Sequence, residues 1–375
     1  MSRMTVGDVR AVFDQAYPPH LAESWDAVGL VCGDPNAEVR HVAFALDCTD
    51  AVAAEAVARG ADMLVVHHPL LLRGVTSIAA DTPKGKVLHR LLTGGVALFA
   101  AHTNADAARP GVNDQLATTL GLIPGAPLAP KPADGVDLWG VHVPAGAVDA
   151  VQEAIFAAGG GTIGDYSECA YRVEGTGQFT PQPGAHPTAG TIGERHTTDE
   201  TRISFVAPAA RRAAIRAAIL DSHPYEEPAY DCVAQVAHAP SDVGIGRVCT
   251  LPEPMTLAEF TQQVADRLPS TVWGVRAAGD PEAIIRTVAV ASGSGDSFLD
   301  TVRSLGVDCF VSSDLRHHPV DEFLRAGGPA VIDTAHWASE FPWVYQAQQI
   351  LQQQLPGVET SIIELRTDPW VLSAH

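Results

Sequence analysis

Two adjacent histidines follow an apolar segment in the first third of the chain. His67 and His68 end the predicted strand Asp62–His67 and are followed by Pro69. Because proline cannot continue a central strand, we expect both imidazoles to project from the carboxyl edge of a sheet, where open α/β sheets place their ligands. Imidazole is the commonest metal-ligating side chain, yet histidine is also an ordinary loop residue, so this pair alone fits a surface loop equally well.

A histidine and a carboxylate then recur at one spacing after two further predicted strands. His102 and Asp106 follow the first of these strands, and His336 and Glu340 follow the second. Residues four positions apart lie on the same face of a helix. Either carboxylate alone could be explained by the preference of acidic residues for helix starts, but that preference does not explain why a histidine accompanies both.

These residue types predict a metal centre. Imidazoles and carboxylates without thiols suit zinc, iron, manganese or magnesium. Five to six candidate ligands exceed the three protein ligands of an ordinary catalytic zinc site, which predicts two divalent ions per subunit bridged by a carboxylate. We expect the three strand ends to lie on one edge of one sheet. The other interpretation is a hydrogen-bonded polar cluster that holds no metal.

Short apolar runs alternate with helical patterns in two parts of the chain. The runs predict strands over Val39–Cys48, Asp62–His67, Val96–His102, Thr287–Ala291, Val307–Ser312 and Ala330–Thr334. Such runs separated by helices are typical of a parallel sheet covered on both faces. Gly60–Val66 is also similar in pattern to Gly306–Ser312. The sequence therefore predicts two related α/β halves that form one three-layer domain.

The middle of the chain has a different pattern. A segment rich in proline and alanine, Ile123–Asp134, and a second break, Ala239–Gly246, enclose about a hundred residues that read β-α-β-β-α-β. That order is typical of a ferredoxin-like module. We therefore predict that residues 131–239 form a separate α+β domain inserted into a host domain made of residues 1–130 and 240–375.

Composition and charge exclude several classes of function. The formal net charge is −20, from 24 basic and 44 acidic residues, which excludes a protein that coats nucleic acid. A metal pair could still attract a small anionic substrate. The six scattered cysteines predict no disulfide framework. Residues 1–17 predict an amphipathic helix rather than an export signal, and no apolar run is long enough for a bilayer, so we expect a cytoplasmic protein.

Several long motifs occur in a fixed order along the chain. They are Ser24–Leu30 (SWDAVGL), His67-His68-Pro69, His102-Thr-Asn-Ala-Asp106 and Asp333-Thr-Ala-His336-Trp-Ala-Ser-Glu340. On these motifs the chain resembles the Nif-three-like family, whose members are called GTP cyclohydrolase 1 type 2 homologues. Within the middle segment, Gly160–Tyr166, Gly175–Pro181 and His223–Asp231 resemble the regulatory-protein-like domain that longer members carry.

The resemblance implies a specific ligand set. The metal ligands would be His67, His68, Asp106, His336 and Glu340, with Glu340 as the bridge. His67 and His336 would hold one ion, and His68 and Asp106 the other. His102 would direct a ligand or the substrate without binding metal, and Asp314 and His318 also match the family pattern. Ser313 replaces the usual glycine, which bears on how closely a substrate approaches this loop. The resemblance further implies a ring-shaped homohexamer with its metal sites facing an internal cavity.

Two functions follow from these residues and from the resemblance. The first is a metal-dependent hydrolase acting on a nucleotide, as in the ring opening of GTP, or on another phosphoester. The alternative is a non-catalytic metal-binding scaffold or regulator in which the inserted domain acts as sensor or partner platform.

Three further features have two interpretations each. Asp26 is either a pocket residue or a helix cap. Glu226 and Glu227 form either an acidic metal or partner site or a rigid turn. Ser292–Asp296 (SGSGD) is a short loop that could hold a substrate anion.

Overall fold

The structure divides the chain into two compact units. A computed structural model describes residues 3–132, 135–236 and 241–374. The first unit combines Met1–Lys131 with Asp242–His375, and the second is Pro132–Ser241. The domain boundary predicted between residues 239 and 240 lies outside the described residues.

The helices occur in both units. They are α1 (Val6–Ala16), α2 (Asp50–Ala58), α3 (Pro83–Thr93), α4 (Thr103–Ala107), α5 (Val112–Thr119), α6 (Val148–Ala157), α7 (Arg212–Ser222), α8 (Leu257–Arg267), α9 (Leu299–Leu305), α10 (His317–Arg325), α11 (His336–Glu340) and α12 (Pro342–Gln354). None of these described helices combines the length and apolar character that a bilayer crossing requires.

The strands form sheets in each unit. They are β1 (Gly29–Cys32), β2 (His41–Ala45), β3 (Met63–Val66), β4 (Ala97–Ala100), β5 (Ile123–Pro124), β6 (Ala129–Pro130), β7 (Val136–Pro144), β8 (Ala170–Phe179), β9 (His196–Pro208), β10 (Tyr230–Ala234), β11 (Gly244–Ile245), β12 (Arg247–Thr256), β13 (Val275–Ala278), β14 (Ile284–Ser294), β15 (Cys309–Ser313), β16 (Ala330–Thr334) and β17 (Glu359–Ile362).

The first unit contains two large mixed sheets. One has the order β1-β4-β3-β2-β17, and the other has the order β13-β16-β15-β14-β12-β5. In each, three successive strands run parallel, β2-β3-β4 and β14-β15-β16, and the last pairs with an antiparallel strand, β1 or β13. The predicted mixed α/β class is confirmed. The prediction of a single sheet edge is wrong, because each half of the unit builds its own sheet.

Buried side chains link the two sheets through shared helices. One hydrophobic core contains Phe44 from β2, Val311 from β15, and Phe13, Phe260 and Trp343 from α1, α8 and α12. The outer face of the first sheet packs with α2 and α3, and that of the second packs with α9 and α10. Each buried aromatic or branched side chain contributes about 1.5–3 kcal/mol, so the shared core fixes one sheet against the other.

The second unit has its own core. Its elements follow the predicted order, β7-α6-β8-β9-α7-β10, and its antiparallel sheet has the strand order β10-β7-β9-β8. Trp139 and Phe205 stack in the core, with Ile155 of α6 and Ile219 of α7 packed against the same sheet. Its description as an inserted ferredoxin-like domain stays a prediction.

A buried ion pair joins distant segments of the first unit. Arg247, at the start of β12, donates to both carboxylate oxygens of Asp114 at 2.8 and 2.7 Å. The guanidinium also donates to the carbonyls of Ala108, Gly244 and Gly246 at 2.6, 2.7 and 2.7 Å. These bonds hold the segment after α4 against α5 and the β11–β12 turn, and they satisfy a charge that has no access to solvent.

We expect Arg247→Leu to lower the free energy of unfolding by about 3–5 kcal/mol, because it leaves the Asp114 carboxylate and three carbonyls without their partner. The matched control is Arg10→Leu, which removes an exposed ion pair to Asp14 and should cost less than about 1 kcal/mol. Guanidinium chloride titration of both variants measures the difference. Equal midpoints for the two variants would contradict the role given to Arg247.

Candidate metal centre

The carboxyl ends of three strands bring imidazoles and carboxylates together. His67 and His68 follow β3, His102 follows β4 with Asp106 one turn later in α4, and His336 and Glu340 are the first and last residues of α11 after β16. Ligand atoms within 4.8 Å of one another form three groups: His68, His336 and Glu340; His67, Asp106 and Glu340; and His67, His68 and His102. All five predicted ligands and His102 are therefore neighbours, and they come from both sheets.

Glu340 lies at the centre of the cluster. Its Oε2 is 2.9 Å from Nε2 of His68 and 3.1 Å from Nε2 of His336. Its Oε1 is 3.8 Å from Nε2 of His67, which in turn is 3.7 Å from Oδ1 of Asp106. The resemblance implied the pairs His67 with His336 and His68 with Asp106. These distances bring His68 and His336 to one oxygen of Glu340 and His67 to the other, and the implied pairing stays a prediction.

Every histidine of the cluster has its Nδ1 occupied by an acceptor. The partners are Asp47 for His68 (2.7 Å), Asp314 for His336 (2.7 Å), Asp26 for His102 (2.9 Å) and the carbonyl of Ala101 for His67 (2.8 Å). A neutral imidazole that donates from Nδ1 has an unprotonated Nε2, which is the form that binds metal. Metal-binding histidines are held in this way by carboxylates and carbonyls. The Nε2 atoms of His67, His68 and His336 lie 3.8, 2.9 and 3.1 Å from the nearest oxygen of the Glu340 carboxylate.

Two buried atoms of the cluster lack hydrogen-bond partners, and this bears on whether a cation fits there. Nε2 of His67 and Oε2 of Glu340 are shielded from solvent and make no hydrogen bond, although Oε2 has two imidazole nitrogens within 3.1 Å. A buried polar atom without a partner costs about 1–3 kcal/mol. A divalent cation bound by these atoms would satisfy both, so the donor set fits a metal.

The charges of the cluster also favour a cation. Burial, and then the charge of Glu340, raises the pKa of Asp106 to about 7. Burial lowers the pKa of His67 to about 3. Burial opposes ionisation of Glu340 as well, but His336 and His68 outweigh it and lower the pKa of this carboxyl. The carboxylates thus require compensating positive charge, which protons on the histidines or a metal ion can supply.

The glycine loop after β14 lies directly against the cluster. Gly293 has φ +62°, and a Cβ there would lie 2.2 Å from Oε1 of Glu340 and 3.1 Å from Nε2 of His336. Its N–H donates to Oγ of Ser339 at 3.0 Å. The loop Ser292–Asp296 therefore gives the backbone close access to Glu340. Its predicted role as an anion site stays a prediction.

The motif after β15 supports His336 through one of its residues. Asp314, at φ +56°, accepts the Nδ1 hydrogen bond of His336. Ser313 is buried, and its hydroxyl is 2.8 Å from Oγ1 of Thr334 and donates to Ser339, so its side chain is enclosed by the fold and not presented to a substrate. His318 is exposed in α10 and contacts His317. Among the described residues His318 joins none of the three groups, and its role stays a prediction.

The contacts of Asp26 support its interpretation as a helix cap, and its role as a pocket residue stays a prediction. Its carboxylate accepts from the backbone N–H and the hydroxyl of Thr103 at the start of α4, and it also holds His102. Burial raises the pKa of this carboxyl, but the hydrogen bonds of His102 and Thr103 outweigh burial and hold it well below its ordinary value. Asp47 was missed in the sequence, although it follows β2 as the ligands follow β3 and β4, and that position was the available signal.

The acidic pair Glu226 and Glu227 lies in the second unit. Glu226 accepts the backbone N–H of His186 at 2.8 Å. Within the described residues neither glutamate belongs to a group that could hold a metal ion. These contacts support the interpretation as a turn.

Comparisons with known proteins show the family of this chain. The family model Duf34/NIF3 (NGG1p interacting factor 3) matches residues 4–369. The chain belongs to the DUF34/NIF3 family. A Mycobacterium tuberculosis protein named GTP cyclohydrolase 1 type 2 homolog is 50% identical over 98% of this chain and 97% of its own length. A Mycobacterium leprae protein of the same name is 49% identical over 99% of this chain and 96% of its own length.

Solved structures of this family share the fold. A Bacillus cereus protein related to NIF3 superposes with a TM-score of 0.77 at 33% identity, with 100% of both chains covered. A Staphylococcus aureus protein superposes with a TM-score of 0.83 at 27% identity, again over 100% of both chains. The mixed α/β fold of this DUF34/NIF3 chain is therefore one that its relatives also have.

We expect Gly293→Ala to abolish or strongly weaken metal binding, because its Cβ would displace the Glu340 carboxylate. Gly306→Ala is the matched control: Gly306 has a similar φ of +66° but no heavy atom within 4 Å of the added Cβ. Both variants carry the same backbone strain of about 1–2 kcal/mol, so they differ in the contacts of the added Cβ with Glu340 and His336. Elemental analysis after dialysis against zinc measures bound metal, and full occupancy in Gly293→Ala would refute the contact.

Proposed function

We propose that the cluster binds two divalent ions per subunit and that Glu340 bridges them. His68 and His336 would hold one ion through Nε2 with Glu340 Oε2, and His67 and Asp106 the other with Glu340 Oε1. The distances of 2.9 and 3.1 Å around Oε2, and 3.8 and 3.7 Å around His67 Nε2, support this division. His102 can supply its Nε2 to the second ion or to a ligand, because its Nδ1 is already bonded to Asp26. Zinc, iron, manganese and magnesium all accept these donors.

The protein is then a metal-dependent hydrolase that acts on a nucleotide or another phosphoester. The observation that carries this conclusion is the convergence of three Nδ1-anchored imidazoles, those of His67, His68 and His336, on the buried Glu340 carboxylate. A divalent metal pair supplies polarisation of a substrate oxygen and acidification of a water. Asp47 and Asp314 keep the His68 and His336 rings in position, and both rings line a cavity of about 280 Å³ that a substrate can enter.

The finer architecture is part of the proposal. We infer that the two sheets of the first unit are related halves of one three-layer host domain and that the second unit is an inserted ferredoxin-like domain. The corresponding parallel strands in the two sheets, and the strand order β10-β7-β9-β8, support this view. The homohexamer is supported by the family resemblance alone, and the cytoplasmic location stays a prediction from the sequence.

The division of ligands predicts which paired substitutions remove one ion and which remove both. His68→Ala/His336→Ala should bind one ion per subunit, because His67 and Asp106 remain. His67→Ala/His336→Ala should lose both ions, because each site then lacks an imidazole. Metal content by elemental analysis, with circular dichroism to establish folding, separates the two variants. The reverse pattern would restore the pairing implied by the resemblance, and one ion in the unsubstituted protein would refute a dinuclear centre.

Turnover tests the hydrolase. We expect metal-loaded protein to hydrolyse GTP or bis(p-nitrophenyl) phosphate, with activity lost in His336→Ala and retained in His89→Ala, which removes an exposed histidine of α3. Chelation should abolish activity, and readdition of metal should restore it. If turnover is absent and chelation changes only the oligomer size in gel filtration, the non-catalytic scaffold is the better account.

A further inference from the structure

An aromatic wall stands beside the candidate metal centre. The cavity that His68 and His336 line is also lined by Trp273 and Trp370, whose ring centroids are 6.1 Å apart at 38°. Trp273 is 37% exposed and Trp370 is 59% exposed, which is unusual for the largest apolar side chain. Neither tryptophan is part of the ligand groups, so their exposure has no explanation in metal binding.

The ring of Trp273 is held in place. Its Nε1 donates to Asp333 Oδ2 at 3.2 Å, and the guanidinium of Arg276 lies over the ring at 4.5 Å from its centroid. Arg276 in turn donates to the same carboxylate oxygen at 2.8 Å. Asp333 is in β16, three residues before His336, so one strand end positions both the aromatic wall and a candidate metal ligand.

The separation of the two rings determines how a ligand can use them. A third ring inserted between two others needs roughly 7 Å, which is two van der Waals separations of about 3.5 Å. The tilted pair at 6.1 Å is too close for insertion, so Trp273 and Trp370 form a wall against which a flat group can stack. Planar rings gain from offset-stacked and edge-to-face contacts of this kind.

The acidic side chains that line the cavity bear on which planar group can bind there. Among the described residues that line it, Asp47, Asp314 and Asp368 are acidic and none is lysine or arginine. Asp47 and Asp314 are bonded to His68 and His336. Asp368 accepts the backbone N–H of Trp370 through Oδ1 at 3.3 Å, while its Oδ2 is buried and makes no hydrogen bond. A carboxylate oxygen without a partner favours a ligand that donates an N–H, and it disfavours an anionic ring.

We propose that the cavity binds a neutral planar nitrogen heterocycle with N–H donors, stacked on Trp273 and Trp370 and donating to Asp368. The reacting group of the same molecule then faces His68 and His336. This inference rests on the proposed function for the statement that the bound molecule is a substrate, but ring binding can be measured without any turnover.

Calorimetric titration with two nucleosides tests whether a ring binds at the aromatic wall. 2,6-Diaminopurine ribonucleoside carries amino donors, whereas purine ribonucleoside has the same ring without them. We expect the metal-loaded protein to bind the diamino compound about tenfold more tightly, because unmade hydrogen bonds to buried groups are costly. Trp370→Ala should weaken binding of both nucleosides about tenfold or more, and Trp370→Phe should retain most of it. Tyr166→Ala, which removes an exposed aromatic side chain of the second unit, is the control and should bind as the unsubstituted protein does.

Asp368→Asn tests the proposed hydrogen bond from the bound ring to Asp368. The amide keeps the acceptor for the Trp370 N–H and places a donor where the unpaired oxygen was, so the preference for the diamino compound should disappear or reverse. If neither nucleoside binds, or if Trp370→Ala leaves binding unchanged, the proposed ring-binding site at the aromatic wall is overturned. If ring binding follows these expectations but GTP and bis(p-nitrophenyl) phosphate are not turned over, the proposed hydrolase is overturned and the ring-binding site at the aromatic wall stands.

Discussion

The candidate centre depends on the hydrogen bonds that fix the Nδ1 side of four imidazoles. Three of the four acceptors are themselves anchored: Asp26 by the start of α4, Asp47 by the hydroxyl of Thr367, and the Ala101 carbonyl by its place after β4. With Nδ1 bonded to these acceptors, the Nε2 atoms of His67, His68 and His336 face the Glu340 carboxylate. The donor atoms of the cluster are therefore already in position before a cation binds. This preorganisation lowers the conformational entropy that the side chains lose on binding.

That arrangement is stable only because two sheets are fixed against each other. The His67-His68 pair and Asp106 follow strands of the five-stranded sheet, whereas His336 and Glu340 follow a strand of the six-stranded sheet. The core shared through α1, α5, α8 and α12 supplies the rigid connection. The Arg247–Asp114 pair adds a directional restraint on the segment between α4 and α5. A shift between the sheets would separate Glu340 from His67, so packing far from the cluster controls its geometry.

The sequence predicted which residues lie together better than it predicted their arrangement. His67, His68, Asp106, His336 and Glu340 could be found because local rules place strand-end residues at one edge and residues four apart on one helical face. The division into two sheets could not be found, since it depends on which strands pair, and β1, β13 and β17 are short edge strands with weak patterns. Asp47 has the same position after its strand and could have been found in this way, whereas Trp273 and Trp370 come near the cluster only through tertiary packing, which no local pattern encodes.

The two proposed sites differ in their access to solvent, and this difference bears on mechanism. The His67 side chain has no exposure and Asp106 has 14%, whereas His68 and His336 have 26% and 36%. Only the second pair lines the cavity with the aromatic wall. A substrate that stacks on the tryptophans therefore meets the His68–His336 side first, while the His67–Asp106 side is enclosed by protein. Glu340 faces both sides. Its Oε1 faces the enclosed His67–Asp106 side, and its Oε2 faces the open His68–His336 side, where a substrate can bind.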